Sequence, residues 1–317
     1  MMENYKELYL NKFGKRFSKK EKMAFYNAIS EDFGKLGYTS DLQEERVKFS
    51  KARHIYIGSP KQAKTTFVIP YNTPAKIMWP NYRSFPQDGF HQMKKMFVPT
   101  YIPMFIAYGL LLVFTYLLPG MVPAKVMTYL YPVFFVLLGF MLIFVFRGFG
   151  NKKNRVNNTN AIVMALDIAN ALPADRRKEV MFIFSDGNKP AGGVANPAIM
   201  NYLTKANKSS LQLISLFCLG NGDTLQMMSD RSSKSIAKDL GKVYKGETTL
   251  KTKHIGEEGK NNTVIEGLPK AMMITSGNRE GELLAVPNVS TSKDTTSDEG
   301  LLNGVCEMLV AYLQKKK

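Results

Sequence analysis

The chain is poor in the residue types that most often carry recognisable chemistry. Its 317 residues include 2 cysteines, 3 histidines and a single tryptophan. Cys218 and Cys306 each sit in an apolar run, so they give no disulfide framework and fit a reducing cytosol. His54, His91 and His254 are far apart, and no H-x-x-x-H, C-x-x-C or carboxylate cluster stands at metal spacing. No metal and no cofactor is therefore implied by a local motif. Ser185, Ser215 and Ser290 have no histidine in a visible arrangement, and G-x-S-x-G is absent. Asp186, Asp223 and Asp294 are scattered and read as turn or cap residues. Acidic residues are also scarce: 26 against 43 lysines and arginines leave a formal charge of +17. Neither a basic face interleaved with stacking aromatics nor a nucleic-acid motif accompanies that charge. Anionic lipid, which needs only nearby cations, is the expected partner rather than nucleic acid. The first twenty residues carry charge without an apolar core, so they are no signal peptide.

What is present in excess is uninterrupted hydrophobicity. Phe97–Leu118 and Val126–Phe146 contain no charged residue. At about 1.5 Å per helical residue, each is long enough to cross a hydrocarbon core of about 30 Å. A short link, PGMVPAK, joins them. The pattern predicts a transmembrane hairpin over 97–146, with Met1–Met96 and Arg147–Lys317 on the same side. The prolines inside the spans are tolerable where neighbours satisfy the freed carbonyls. Lys94 and Lys95 precede the first span, and Arg147, Lys152, Lys153 and Arg155 follow the second. Lys125 alone lies in the turn. The positive-inside rule then places both termini in the cytoplasm, in a multi-pass protein of the cell membrane. Trp79 and Tyr82, with Phe85 and Phe90, are expected in the headgroup layer, where amphipathic rings are favoured.

Outside the hairpin, Ser18–Lys35 has helical apolar spacing with Ser18 as N-cap. His54–Gly58 and Thr65–Pro70 read as short strands. Asn158–Leu172 is predicted helical. Glu179–Ser185 and Leu211–Leu219 are continuous apolar runs of the fully buried, parallel kind. Helices are expected at Ala198–Ala206, Ser232–Leu240 and Asp298–Gln314, and a strand at Met272–Ser276. Strand–helix alternation of this sort makes an α/β domain with a mostly parallel sheet sandwiched by helices. The layout expected is residues 1–96 and 147–317 forming one domain, interrupted by the hairpin.

Several blocks in order (LGYTS, HIYIGSPKQAKTTFVIPYNTP, NNTNAIVMALDIANAL, KEVMFIFSDGNKPAGG, LQLISLFCLGNGD and EGLPKAMMIT) resemble the zinc-dependent aminopeptidases with two co-catalytic zinc ions. That family also contains glutaminyl cyclases and the transferrin-receptor peptidase-like domain. The resemblance implies a zinc-exopeptidase-like fold. It also implies ligand positions, and here they lack suitable donors. The family's H-x-D falls on Pro70-Tyr71-Asn72, and its metal-bridging aspartate falls on Asn157. The paired glutamates after D-G fall on Asn188 and Lys189. The aspartate ending the next strand falls on Phe217, and the late histidine falls near Ser290. Zinc hydrolysis needs anionic or imidazole ligands and a glutamate base, so the expectation is a kept fold and lost chemistry. The leading reading is a membrane-anchored pseudoenzyme that binds or scaffolds a peptide, a membrane protein or a lipid headgroup. Its alternatives are a membrane-bound metallo-aminopeptidase or hydrolase with an atypical site, and an assembly subunit of a membrane complex. Gly109, Gly139 and Ala107 would permit close helix contacts in the latter.

Overall fold

The computed structural model describes residues 3–47, 50–187, 195–208 and 211–315. After an N-terminal helical segment, Glu3–Lys12, come α1 (Lys19–Lys35), β1 (Ser40–Val47), β2 (Ser50–Ile57), β3 (Thr65–Pro70) and the short β4 (Arg83–Ser84). The apolar helices α2 (Gly89–Leu112) and α3 (Ala124–Arg147) follow, then α4 (Asn160–Ala171), β5 (Val180–Ser185) and α5 (Ala195–Lys205). The chain ends with β6 (Gln212–Leu216), β7 (Thr224–Ser229), α6 (Lys234–Val243), β8 (Thr249–His254), β9 (Ala271–Glu280), β10 (Leu283–Pro287) and α7 (Glu299–Lys315).

The strands form one mixed sheet in the order β1-β2-β5-β3-β6-β9-β10-β4, with β7 joining β9 to β8. Its centre, β5-β3-β6-β9, is parallel, and those strands are almost wholly buried. The flanks are antiparallel except for the parallel β7–β8 pair, so the sheet is less uniformly parallel than the apolar runs suggest. Strands β1, β7, β8, β10 and β4 escape sequence reading because they are polar, short or on the flanks. A strand half-exposed at an edge needs no apolar run.

Two cores sandwich the sheet. On one face, Phe25, Ile29 and Phe33 of α1 pack with α4, α6 and α7 against Phe67, Phe182 and Phe184. Phe33 lies 5.0 Å from the Phe182 ring, and Phe25 stacks on Tyr71 at 5.1 Å. Helix α1 starts where its capping box dictates: Ser18 accepts from the Glu21 amide while the Glu21 carboxylate takes the Ser18 amide. On the other face, α5 supplies Ile199 and Leu203 to a core with Tyr56, Val68, Met181, Ile183 and Met273. Strands before and after the apolar helices thus share one sheet and both cores.

The apolar helices project from this body. Only 6 % of the most apolar window of each is buried, unlike a core helix. The first begins at Gly89, eight residues before the uncharged stretch does, and runs as continuous helical turns to Gly120. Asp88 caps it by accepting from the His91 amide, which lets a polar first turn become helical. Its foot is set into the domain. Buried Gln92 accepts from the Phe85 amide and the Ser84 hydroxyl and donates to the Tyr82 hydroxyl. Tyr82 and Phe85 are consequently 4 % and 3 % exposed. These two rings belong to the helix socket rather than to a headgroup layer, and the hydrogen bonds of that socket explain the difference. Trp79, Phe90, Lys94, Lys95, Lys152 and Lys153 are exposed. Arg147 ends α3, and its side chain is outside the described set. At its base the hairpin closes through an Ala75–Gly150 bridge and a hydrogen bond from the Lys76 amide to the Phe149 carbonyl.

Candidate functional site

The positions singled out by the resemblance gather at the carboxyl ends of the central strands, where α/β sheets place their sites. Pro70 ends β3 opposite Ser185 of β5. Asn72 follows, and its carbonyl accepts from the Asn158 amide side chain. Asn157 lies in the helical turn leading into α4, and its carbonyl accepts from the Cys218 amide. Phe217 follows β6 and packs with Val156, Cys218, Val286 and Val289 in a small apolar cluster. Ser290 accepts from the Ile77 amide, beside the base of the hairpin. Asn188 and Lys189 lie outside the described residues, so their surroundings are not assigned.

The charged groups of this region are engaged within the protein. Asp294 is 3 % exposed, and its carboxylate accepts from the amides of Val156, at 2.7 Å, and Asn157, at 3.2 Å. Burial outweighs these bonds and raises its pKa to about 6. Asp186, also buried, takes Lys22 Nζ on both oxygens at 2.6 and 2.7 Å and the Arg53 amide on one. His54 is beside it: Nδ1 lies 3.3 Å from the Asp186 amide, and burial lowers the imidazole to about 4. Its Nε2 is buried and has no hydrogen-bond partner among the described residues.

Behind Asn72 and Asn157 lies Arg16, 0 % exposed. Nε donates to the Tyr71 carbonyl at 2.6 Å, and Nη2 to Asn158 Oδ1 and Thr159 Oγ1 at 2.5 and 3.0 Å. Nη1 donates to the Phe13 carbonyl. Every acceptor is neutral. Burial lowers Arg16 to about 9, so the guanidinium stays charged at neutral pH. Sequence reading misses Arg16 and Lys22, because each reaches across more than fifty residues to the site segments. Asp186 and Asp294, read as turn or cap residues, prove to be buried hydrogen-bond hubs.

Two backbone features mark the same region. Cys218 and Ser290 adopt left-handed conformations, with φ of +52° and +63°. Such geometry is uncommon for residues with a Cβ and is found preferentially at functional sites.

A mixed α/β sheet with this order and helix placement is the zinc-exopeptidase-like fold. The chain is similar over 98 % of its length to a Bacteroides thetaiotaomicron glutaminyl cyclase bound to N-acetylhistamine. Their TM-score is 0.60 and their identity 14 %, with 97 % of that chain covered. A leucine aminopeptidase precursor from the same species gives a TM-score of 0.58 at 13 % identity, covering 98 % of this chain and 96 % of the other. A Porphyromonas gingivalis glutaminyl cyclase gives 0.56 at 13 %, covering 99 % and 96 %. No protein-family model matches the chain, and no curated protein matches it in sequence. The likeness is one of fold.

A zinc pair of the kind this fold family implies does not suit the residues described. Proline and phenylalanine side chains offer no donor, and the asparagine amides supply no negative charge to offset two dications. Among the described residues, no group of three or more His, Cys, Asp or Glu side chains is placed to hold a metal ion. Asp186 and Asp294, the acidic groups nearest in sequence to the expected ligands, are committed to Lys22 and to backbone amides.

Proposed function

We propose that this chain is a membrane-anchored, catalytically inactive peptidase-like protein, a binding or scaffolding module at the cytoplasmic face of the cell membrane. The observation that carries the reading is the side-chain set at the carboxyl ends of the central strands. Pro70, Asn72, Asn157, Phe217 and Ser290 stand there, with the neighbouring carboxylates bonded internally. In this reading, residues 1–96 and 147–317 make one domain and the exposed apolar helices make a hairpin in the bilayer. Trp79, Lys94, Lys95, Arg147, Lys152 and Lys153 lie near the headgroups, where the cations favour anionic lipid.

The hairpin base gives the site an orientation. Ala75 and Gly150 pair with each other, and Ile77 bonds to Ser290. The former site thus lies a few residues from the membrane entry points, and its partner is a membrane protein, a lipid headgroup or a peptide held at the bilayer surface. The test is elemental analysis of protein purified in mild detergent, with aminopeptidase and glutaminyl cyclase assays in added zinc. We expect substoichiometric zinc and no chelator-sensitive turnover. One or two zincs per chain, lost together with an activity on chelation, would overturn inactivity.

A further inference from the structure

Two of the sheet's edge strands carry opposite charge. Among the described residues, β1 pairs only with β2, and β8 only with β7. Asp41, Glu44 and Glu45 outnumber Arg46 on β1, with Glu44 paired to Lys51 and Arg53 of β2; Lys251, Lys253 and His254 lie on β8. An exposed edge presents unpaired amides and carbonyls that template another strand. Like charges discourage β1 from meeting β1 and β8 from meeting β8, while β1 against β8 matches signs. We propose that β1 of one copy pairs antiparallel with β8 of a second copy in the same membrane, joining molecules head to tail into a row.

Strand direction, face and hydrogen-bond phase all agree with this pairing. β1 is antiparallel to β2, which is antiparallel to β5, so β1 runs with the central strands. β8 is parallel to β7, which is antiparallel to β9, so β8 runs against them. This step rests on the membrane reading: copies anchored in one bilayer differ by rotation about its normal, which keeps strand direction. A neighbour's β8 therefore meets β1 antiparallel.

Asp41 stands opposite Tyr56, and Lys253 stands opposite Met228. Tyr56 and Met228 belong to the same core, so the acids at 41 and 45 and the lysines at 251 and 253 share a sheet face. The Gly58 amide bonds the Thr39 carbonyl, which by alternation turns the backbone of residues 40, 42, 44 and 46 outward. The Ile255 amide bonds the Ser229 carbonyl, which turns residues 250, 252 and 254 outward.

The two outward sets interlock in the register that puts Asp41 opposite Lys253, a non-hydrogen-bonded position where facing side chains approach closely. The same register leaves Glu45 diagonal to Lys251, within reach of two long side chains. Among the described residues, buried Glu45 Oε2 has no hydrogen-bond partner and no ion pair engages Lys251 or Lys253. A head-to-tail contact of this kind does not close on itself by two-fold symmetry and so propagates.

Full-length protein in native membranes tests this with Asp41→Cys and Lys253→Cys and a short bifunctional thiol reagent. Co-expression of the two variants should give a covalent dimer that neither gives alone, and the doubly substituted chain should give a ladder. In that double-cysteine background, Lys251→Glu should lower the cross-linked fraction at least fivefold. Adding Glu45→Lys should restore it to within twofold. Equal cross-linking by either cysteine alone, no ladder, or insensitivity to both reversals would overturn the pairing. Circular dichroism of the charge variants checks folding, and alkaline extraction of the same membranes is scored separately. Release into the soluble fraction would count against the anchor, whereas loss of the ladder in a retained protein counts against the pairing.

Discussion

Asp294 and His54, two buried titratable groups near the carboxyl ends of the central strands, should oppose each other in one pH window. Asp294 has its pKa raised from 3.8 to about 6, chiefly by burial, so its proton is held more tightly in the folded chain. Its contribution is fully present below about pH 4 and is lost as pH rises through 6. That is about 2.2 pKa units, or roughly 3 kcal/mol at about 1.36 kcal/mol per unit. His54 moves the other way, from 6.5 to about 4, because burial disfavours the imidazolium. The folded chain binds fewer protons than the unfolded one between those values. His54 therefore makes stability increase from pH 4 to 6.5, also by roughly 3 kcal/mol. These two contributions should largely cancel across this window. Asp294→Asn should unmask a rise in stability with pH, and His54→Gln a fall. The assay is denaturant unfolding followed by far-ultraviolet circular dichroism in mild detergent, read as the difference between variant and wild type at each pH. The hairpin contribution cancels in that difference. Asp230, held at about 2 by Lys260 and the Ser232 and Ser233 hydroxyls against its own burial, titrates below the window. Parallel profiles for Asp294→Asn and wild type would show that the Asp294 carboxyl is not strained by its site.

Gly89 begins the first apolar helix with its Cα against Asn261 and Asn262. A Cβ there would fall 2.3 Å from Asn262 Cβ and 2.5 Å from the Asn261 carbonyl oxygen. Gly89→Ala should cost about 2 kcal/mol in the same unfolding assay through overpacking against backbone; a loss under about 0.5 kcal/mol would mean that the helix foot is not held there. For topology, Gly120→Cys in intact cells should react with a membrane-impermeant thiol reagent added outside. Labelling confined to inverted vesicles would reverse the orientation.

Much of this architecture is legible because burial and sequence coincide. The central strands are mostly apolar, as suits strands covered on both faces, and Ser18 with Glu21 announces the start of α1. The strands that sequence hides lie on the flanks. β1 reads SDLQEERV, and its Glu44, opposite Arg53 of β2, pairs with Arg53 and Lys51 rather than entering a core. Tyr82 shows a different limit. An aromatic residue near an apolar helix suits either a headgroup layer or a helix socket, and only the hydrogen bond from Gln92, ten residues away, decides for the socket. At the site, the positions that the resemblance implies are read from the order of the blocks. The tie between Arg16 and Asn158 is not, because a tertiary hydrogen bond leaves no local pattern.

Arg16 holds together two segments at the carboxyl end of β3. A zinc pair would tie the segment after β3 to the turn before α4 through shared ligands. Here one guanidinium joins the same two segments, bonding the Tyr71 carbonyl on one side and Asn158 and Thr159 on the other. A third tie runs to the Phe13 carbonyl of the N-terminal segment. Arginine suits the task because its planar fork places donors toward several acceptors and stays charged when buried, whereas an ammonium presents a point charge. Arg16→Lys should therefore fail to substitute. Hydrogen bonds to a charged group contribute about 1.5–3 kcal/mol each, and buried acceptors left bare add their own cost. Losing about two of them without replacement gives roughly 3–5 kcal/mol for Arg16→Lys, with Arg16→Met at least as damaging. Hydrogen exchange should localise the loss to the amides of Tyr71–Thr73 and Val156–Thr159. If Arg16→Lys instead unfolds within about 0.5 kcal/mol of wild type, with unchanged exchange in those segments, the guanidinium is not the tie and another contact joins them.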